Sequence, residues 1–296
     1  MQLVAMLKCA QGHLWDPELA EPGGNAACPL CGAAAVGPAP TAEDWSTAGK
    51  AWLTWFLVLG ALTLAGLVLG IFFEMEYAFF ACLILGVGWF VSLIAWASWY
   101  GERRRMFAMR GACQAMNFTF GELAPKDVLA ELSRCPLFKR GHSHAMRNLM
   151  HGAVGGTSVI VMDFRYTVGG GKHQHTHAQT VIVLPTGGEH LPDFTLYPEN
   201  FFHRIGEVFG FKDIDFVEHR AFSRRYRLKG PNEVAIRRAF KPEVREFFAA
   251  NPGWSVEVAE GQFVVYRSSK RCKPENCPQR VAEALIIHGL FSGGEG

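Results

Sequence analysis

Four residues that commonly bind metal ions stand near the start of the chain with paired spacing. Cys9 and His13 come first, and Cys28 and Cys31 follow within Cys-Pro-Leu-Cys-Gly. A Cys-x-x-Cys-Gly turn directs two thiolates toward one point, and structural Zn²⁺ takes four sulfur or nitrogen ligands in a tetrahedron. We therefore predict one structural zinc ion held by Cys9, His13, Cys28 and Cys31, with no open coordination position for catalysis.

Residues 6–34 resemble a zinc ribbon, and the resemblance is strongest at the second Cys-x-x-Cys-Gly turn. The first pair departs from the usual pattern, because Gly12 stands where a second cysteine is common and His13 follows one residue later. Water or another side chain is the alternative fourth ligand. A Cys28/Cys31 pair without metal is the alternative to the zinc site as a whole.

A second cluster of ionisable residues is the segment Lys172–His177, which contains three histidines at a spacing of two. Such residues share one face of a β-strand, and a three-residue turn at Gly169–Gly171 is expected to place Asp163 opposite His177. This arrangement would offer a metal-dependent enzyme the ligands Asp163, His173, His175 and His177. Arg165 is expected opposite the central histidine and would repel a cation, so the sequence favours an exposed polar strand. The expected core face of the hairpin comprises Ile160, Met162, Phe164 and Tyr166 against Thr176, Ala178, Thr180 and Ile182.

Basic residues alternate along Phe222–Lys229, where a strand would present them on its outer face. Arg237, Arg238, Lys270, Arg271 and Lys273 could extend this basic surface. Phosphate or nucleic-acid contact is one interpretation. We favour a solvated strand face beside an anionic membrane.

These residues flank a long apolar block. The chain has 296 residues, 49% of them hydrophobic and 19% charged, with a net charge of +2 and a mean hydropathy of +0.09, which excludes a disordered or fibrous protein. Residues 51–100 contain only two charged side chains, Glu74 and Glu76. We predict transmembrane helices at 51–73 and 77–100, each about 35 Å long and able to cross a ~30 Å hydrocarbon core. Buried helices of a soluble core are the alternative, but neither stretch has a polar face.

The flanks of this block predict its orientation. Arg103, Arg104 and Arg105 follow the second helix and Lys50 precedes the first, whereas the connection at Glu74–Glu76 has no Lys or Arg. Positive residues stay inside, so both termini are expected in the cytoplasm, with the protein in the bacterial cytoplasmic membrane as a multi-pass protein. The three arginines are also expected to contact anionic lipid headgroups. Aromatic residues that would lie at one membrane face are Trp52, Trp55, Trp96, Trp99 and Tyr100, and glycines that permit close helix approach are Gly66, Gly70, Gly86 and Gly88.

The predicted organisation has a zinc-ribbon-like unit at 1–35, a linker at 36–50, the hairpin at 51–100 and a cytosolic α+β domain at 101–296. Hairpins mixed with helices, without regular βαβ alternation, indicate α+β with antiparallel strands. The expected strands are Ala112–Phe120, Met146–His151, Thr157–Thr167, His173–Leu184, Phe222–Lys229, Trp254–Val258 and Gln262–Arg267. The expected helices are Pro125–Ser133, Glu199–Phe209, Glu233–Ala250 with a break near Pro242, and Pro278–Leu290.

The run from Phe118 to Leu290 resembles an uncharacterised family of bacterial membrane-anchored proteins. The residues that carry the resemblance are Gly155–Thr157, Val161–Thr167, Gln179–Val183, Leu191–Phe194, Pro198-Glu199 and Phe222–Leu228. It implies a short membrane hairpin followed by a cytosolic α+β domain of unknown function, and it supplies no catalytic residues.

Together these observations predict a membrane-anchored binding or scaffold protein with protein partners and a structural zinc site. One alternative is a metal-dependent enzyme that uses Asp163 and the three histidines. The other is a membrane-tethered nucleic-acid binder that uses the ribbon and the basic strand.

Overall fold

The computed structural model describes residues 7–10, 13–15, 28, 33–38, 42–72, 76–123, 128, 132–186, 191–199 and 212–292. The chain divides into two compact units. Met1–Gly37 and Met109–Gly296 form the sheet unit, and Pro38–Ala108 form the hairpin unit. The predicted helix Glu199–Phe209 and most of the predicted helix Pro125–Ser133 lie outside the described residues.

The hairpin unit consists of two long helices, as predicted. Helix α1 spans Ala42–Phe72 and helix α2 spans Glu76–Ala115. Both are long and apolar enough to cross a membrane, and only 6% of the most apolar window of α1 and none of that of α2 is buried. Their side chains therefore do not form a soluble core, in contrast to the alternative considered above. Helix α1 begins within the expected linker 36–50, because residues 42–50 contain good helix formers such as Ala and Glu.

Helix α2 continues well beyond the apolar block, through Arg103 and Arg110 to Ala115. The predicted strand Ala112–Phe120 is therefore wrong in its first half. The helix ends where Asn117 adopts a positive φ of 56° and the Phe118 amide donates to the Cys113 carbonyl over 3.0 Å. This is the left-handed cap that Asn or Gly commonly provides, and the chain enters β4 directly after it.

Small residues let α1 and α2 pack closely. A Cβ at Gly60 would lie 2.5 Å from the Trp89 ring, whose indole N–H donates to the Phe56 carbonyl over 2.7 Å. Gly66 is also close to the other helix, since its Cβ would lie 3.0 Å from the Cys82 sulfur. Gly86 and Gly88 face open space, so only part of the glycine pattern serves helix packing.

The sheet unit contains, within the described residues, an eleven-stranded sheet in the order β3-β1-β2-β4-β5-β6-β7-β11-β10-β8-β9. From β1–β2 to β8–β9 the neighbouring strands are antiparallel, which agrees with the predicted α+β class. The strands are β1 Leu7–Cys9, β2 His13–Trp15, β3 Ala35–Pro38, β4 Thr119–Leu123, β5 His142–Val154, β6 Thr157–Val168, β7 His175–Pro185, β8 Phe194–Pro198, β9 Tyr226–Lys229, β10 Ser255–Ala259 and β11 Gln262–Tyr266.

The described residues of the sheet unit include four shorter helices. They are α3 Arg220–Ser223, α4 Glu233–Ala239, α5 Pro242–Ala250 and α6 Cys277–Ser292. The predicted break near Pro242 is confirmed, because proline begins α5. The predicted strand Phe222–Lys229 is wrong in its first half, where α3 ends and a turn follows. One hydrophobic core cluster of the sheet unit includes Leu137, Phe164, Val181 and Tyr266, which are all almost fully buried.

The N-terminal strands belong to the same sheet as the C-terminal part of the chain. Strand β2 pairs with β4, with His13 opposite Gly121 and Leu14 opposite Phe120. The sequence predicted a separate N-terminal unit, but β4 would then expose an unpaired edge, which proteins commonly cover. The sheet is therefore built from chain on both sides of the helical hairpin.

Candidate functional site

Two of the four predicted zinc ligands lie together. Cys9, at the end of β1, and Cys28 are both 1% exposed and share one small buried cluster with Leu7, Ala33 and Ala35. The Cys28 amide donates to the Ala33 carbonyl over 2.8 Å. Cys31 lies outside the described residues, and of His13 only the backbone is described. Two buried thiols side by side suit a soft metal ion such as Zn²⁺.

The structure separates the four residues of the alternative metal site. Arg165 pairs with Ala178 and Asp163 with Thr180, three residues from the expected register. The chain forms a 3₁₀ turn at Gly171–His173 before β7 begins at His175, so the loop is longer than predicted. A register shift by an odd number of residues moves each side chain of a strand to the opposite face of the sheet.

This shift also corrects the expected core face. The β6 residues Met162, Phe164 and Tyr166 are buried as predicted, but they lie opposite Val181, Gln179 and His177. Thr176, Ala178, Thr180 and Ile182 therefore occupy the other face of β7. His173 and His175 are exposed, whereas His177 is 8% exposed and stacks on the Tyr166 ring at 5.2 Å.

Asp163 has neutral hydrogen-bond donors as partners. Its carboxylate accepts from Asn148 Nδ2 over 2.9 Å and from Thr180 Oγ1 over 2.8 Å. It lies on the face of the sheet opposite to His177, so these two groups do not converge on one ion. Within the described part of the chain, no three His, Cys, Asp or Glu side chains are grouped closely enough to hold a metal.

Basic side chains of strand β9 form ion pairs within the protein. Arg227 lies 2.5 Å from both Glu199 and Asp213, and Lys229 lies 3.4 Å from Asp213. The hydrogen bonds that Arg227 donates to Glu199 and Asp213 raise its pKa above the usual value, against the opposing effect of burial. Arg225 donates to the Ala249 carbonyl at the end of α5. Paired arginines of this kind are poorly placed to neutralise nucleic-acid phosphates.

The most completely buried charges form a network that sequence analysis missed. Arg140 Nη2 lies 2.7 Å from Glu257 Oε1, and both side chains are at most 2% exposed. The same carboxylate oxygen accepts hydrogen bonds from Tyr197 over 2.8 Å and from Tyr266 over 2.7 Å. Glu257 Oε2 accepts from the Leu137 amide over 2.6 Å. Both carboxylate oxygens of Glu257 thus accept hydrogen bonds.

The electrostatics of this network keep its tyrosines protonated. Burial raises the pKa of Tyr197 and Tyr266 well above the usual value of tyrosine, and the negative charge of Glu257 adds to the effect. Burial alone would lower the pKa of Arg140, but the neighbouring Tyr197, Tyr266 and Glu257 oxygens raise it overall. The network is closed from solvent, and its carboxylate and tyrosine oxygens are hydrogen-bonded, although Arg140 Nε forms no hydrogen bond within the described part of the chain. Such a buried polar network favours one packing of the core.

A surface cavity of about 240 Å³ lies beside this network. Its floor includes Phe194, Val258 and Ala259. Cationic and anionic residues both line it, and two of them, Arg134 and Glu260, form an exposed ion pair at 3.2 Å. The remaining charged lining residues are Lys139, Asp193 and Lys229. The mixed charges give the cavity no preference for an anion or a cation.

Comparisons with known proteins add little. No protein-family model matches the sequence, and no curated protein matches it significantly. The chain is similar to the crystal structure of the mycobacterial trehalose monomycolate transport factor A, TtfA, with 13% sequence identity and a TM-score of 0.46. The match covers 63% of this chain and 92% of that chain. A similarity at this level carries no inference about function, and the family resemblance of Phe118–Leu290 stays a prediction.

Proposed function

We propose that this chain is a two-pass membrane protein whose sheet unit serves as a membrane-anchored binding or scaffold module. The observation that carries the proposal is the hairpin unit itself. Its apolar side chains point outward, as illustrated by Trp55 at 66%, Leu64 at 63% and Ile84 at 72% exposure. So large an apolar surface is stable only when lipid or another apolar phase covers it.

The connectivity of the sheet supports one orientation for both ends of the hairpin. Strands β1–β3 precede α1 and strands β4–β11 follow α2, yet all belong to one sheet. A hairpin that leaves and re-enters the same sheet must have both of its ends on one side of a bilayer. Arg103, Arg104 and Arg105 then favour the cytoplasmic side, where anionic headgroups attract them by about 1 kcal/mol each. In this proposal the protein resides in the bacterial cytoplasmic membrane.

A binding role is favoured over catalysis because the clustered polar groups are bonded to one another inside the sheet unit. Asp163 is bonded to Asn148 and Thr180, and the Arg140–Glu257 pair is sealed from solvent. An active site needs convergent groups that a substrate can reach. Membrane tethering offers a different advantage, because it raises the effective concentration of a weak binder near partners in the same membrane.

In-cell cross-linking of the full chain at native expression tests this role. We expect a discrete protein adduct that persists when the hairpin is replaced by an unrelated two-pass hairpin, because the sheet unit carries the binding surface. Divalent-metal-dependent turnover that Asp163→Asn abolishes would replace the proposal with the enzyme alternative. Loss of the adduct after the hairpin is replaced would show that the binding surface lies on the two helices.

We further propose that Cys9, His13, Cys28 and Cys31 hold one structural zinc ion. Support comes from the shared burial of Cys9 and Cys28 in one cluster with Ala33. When bound, the ion would cross-link the start of the sheet. Its thiolate ligands bind zinc in the deprotonated state, so the site would release protons on loading.

Elemental analysis of the full-length protein in detergent tests the zinc site. We expect nearly one zinc per chain in the wild type, almost none in Cys28→Ser, and an unchanged content in Cys82→Ser, which alters a cysteine of the hairpin. A folded wild-type protein without zinc would refute the site. A fully loaded His13→Ala variant would refute that ligand alone.

A further inference from the structure

One pair of arginines in the sheet unit shares an aromatic ring but lacks a full set of counterions. Arg267 follows β11, and its guanidinium carbon lies 4.5 Å from the centre of the Trp254 ring. Arg280, in the first turn of α6, lies 4.9 Å from the same ring. Trp254 directly precedes β10 and is 2% exposed, so the ring is a fixed platform for both cations.

In the described part of the chain, some hydrogen-bond donors of this arginine pair lack an acceptor in hydrogen-bond geometry. Among the described residues, the buried Arg267 Nε and Arg280 Nη1 form no hydrogen bond. Arg280 forms an ion pair with Glu283, whose Oε2 lies 3.3 Å from Arg280 Nη1 without hydrogen-bond geometry. Two positive charges thus face one negative charge. A buried donor without an acceptor is costly, and an added anion would supply the missing acceptors.

The pair also repels itself. Burial lowers the pKa of Arg267, and the positive charge of Arg280 lowers it further, while Glu283 opposes this effect. The fork of an arginine matches the oxygens of a phosphate group and can bind them through two parallel hydrogen bonds. A phosphate-type oxyanion would relieve the repulsion and satisfy the donors at once.

In a second arginine pair of the same unit each cation has a carboxylate of its own, although Arg245 Nε is also buried without a hydrogen bond to any described residue. Arg237 and Arg245 flank the Phe216 ring at 5.1 and 4.5 Å. Each has its own carboxylate, since Arg237 lies 2.7 Å from Glu233 and Arg245 lies 2.5 Å from Glu218. The Arg267–Arg280 pair therefore differs in charge balance and not in stacking geometry.

The chain after Arg267 adds further positive charge in a fixed loop. Residues 267–273 read Arg-Ser-Ser-Lys-Arg-Cys-Lys and contain no acidic residue. Strand β7 holds this loop, because Ser269 N donates to Gln179 Oε1 over 3.0 Å and Cys272 N donates to Thr180 Oγ1 over 2.8 Å. His177 Nδ1 also lies 2.7 Å from Ser269 Oγ. A loop ordered in advance loses less entropy when a ligand binds.

We propose that the Arg267–Trp254–Arg280 cluster is a binding site for a phosphate-type oxyanion. The two guanidinium groups are its principal donors, and the basic loop 267–273 raises the local concentration of anions. The phosphate belongs either to a free phosphate or phosphomonoester or to the headgroup of an anionic phospholipid. The site is independent of the zinc ion and of the binding partner proposed above.

The experiment uses the full-length protein with two probes. In an uncharged detergent, inorganic phosphate is titrated at constant ionic strength, and binding is followed by calorimetry and by the change in Tm. In lipid nanodiscs, phosphatidylcholine alone is compared with mixtures that contain phosphatidylglycerol. The variants are Arg267→Gln, Arg280→Gln and Arg267→Lys, and each is compared with its own ligand-free Tm so that altered folding stability does not enter the result. Arg237→Gln removes one cation from the balanced pair and is the matched control.

We expect saturable binding that Arg267→Gln and Arg280→Gln each weaken at least tenfold. Arg267→Lys should weaken it to a smaller but measurable extent, because lysine keeps the charge and loses the fork. Arg237→Gln should leave it unchanged. Saturation with inorganic phosphate identifies a free phosphate ligand, whereas a variant-sensitive response confined to phosphatidylglycerol nanodiscs identifies a headgroup. Absence of both responses, or equal responses in all variants, would overturn the proposal.

Discussion

At the scale of single residues, the sheet unit depends on a charge pair that water does not reach. Arg140 and Glu257 are separated by 117 residues in sequence and meet at 2.7 Å in the core. The pair is tolerated because Tyr197, Tyr266 and the Leu137 amide complete the hydrogen bonds of the carboxylate. Removing one member of such a pair leaves the other charge buried without its counterion, which is strongly destabilising.

Glu257→Gln should therefore lower the free energy of unfolding by about 3–5 kcal/mol, the range for breaking buried ion pairs. Glutamine has nearly the same size as glutamate, so the decrease in the free energy of unfolding reflects the lost charge and not a change in packing. The measurement is thermal unfolding of the full chain in detergent. Glu260→Gln is the control, since Glu260 and its partner Arg134 are both more than half exposed and such pairs contribute little. Equal Tm values for the two variants would contradict the account of the network.

The buried tyrosines predict a loss of stability at alkaline pH. Burial raises the pKa of Tyr226 to about 12 and that of Tyr197 and Tyr266 well above the usual value, whereas an unfolded tyrosine ionises near pH 10. The contribution of these tyrosines to the free energy of unfolding is therefore fully present below about pH 10. Above about pH 10 the unfolded state releases the tyrosine protons while the folded state keeps them, so the free energy of unfolding decreases.

Thermal unfolding measured from about pH 8 to about pH 11 checks this sign. Tyr266→Phe should be less stable at the lower pH, because it loses the hydrogen bond to Glu257, but its stability should fall less steeply with pH. Parallel curves for the wild type and Tyr266→Phe would be inconsistent with a raised pKa at this position.

At the scale of elements, α1 and α2 approach each other closely at Gly60, a residue that sequence analysis did not single out. Gly60→Ala should destabilise the hairpin unit, because the new Cβ would lie 2.5 Å from the Trp89 ring and within reach of its contact with Phe56. Gly86→Ala is the matched control. Its Cβ meets open space, so the higher helix propensity of alanine, worth about 1 kcal/mol, should dominate. Unfolding in detergent should show a lower Tm for the first variant only; a Tm increase in both would exclude the close packing.

The elements themselves were largely predictable from sequence. Both apolar helices, the strands of β5–β7 and the β10–β11 hairpin follow from apolar runs and alternation. Register was not predictable, because the 3₁₀ turn at Gly171–His173 has no distinctive signature, and its extra length moved His177 from the solvent face to the core. The pairing of β2 with β4 and the Arg140–Glu257 contact join distant parts of the chain, and local periodicity contains no information about such contacts. The zinc ligands were chosen by spacing alone, and that prediction stays open.

At the scale of the whole molecule, one sheet receives strands from both sides of the helical hairpin. Its connectivity requires residues 7–38 and residues 119–292 to share one side of any bilayer that α1 and α2 cross. We propose that this side is the cytoplasm, because basic residues follow α2 and none stands at Glu74–Glu76. We therefore propose that the chain is a two-pass membrane protein with one composite sheet in the cytoplasm.

Reporter fusions to the full chain test this claim most directly. A fluorescent protein that matures only in the cytoplasm and a phosphatase active only in the periplasm are each placed before residue 1, between Glu74 and Glu76, and after residue 296. The account predicts fluorescence at both termini and phosphatase activity only at the Glu74–Glu76 position. Phosphatase activity at either terminus, or fluorescence at the central position, would contradict it.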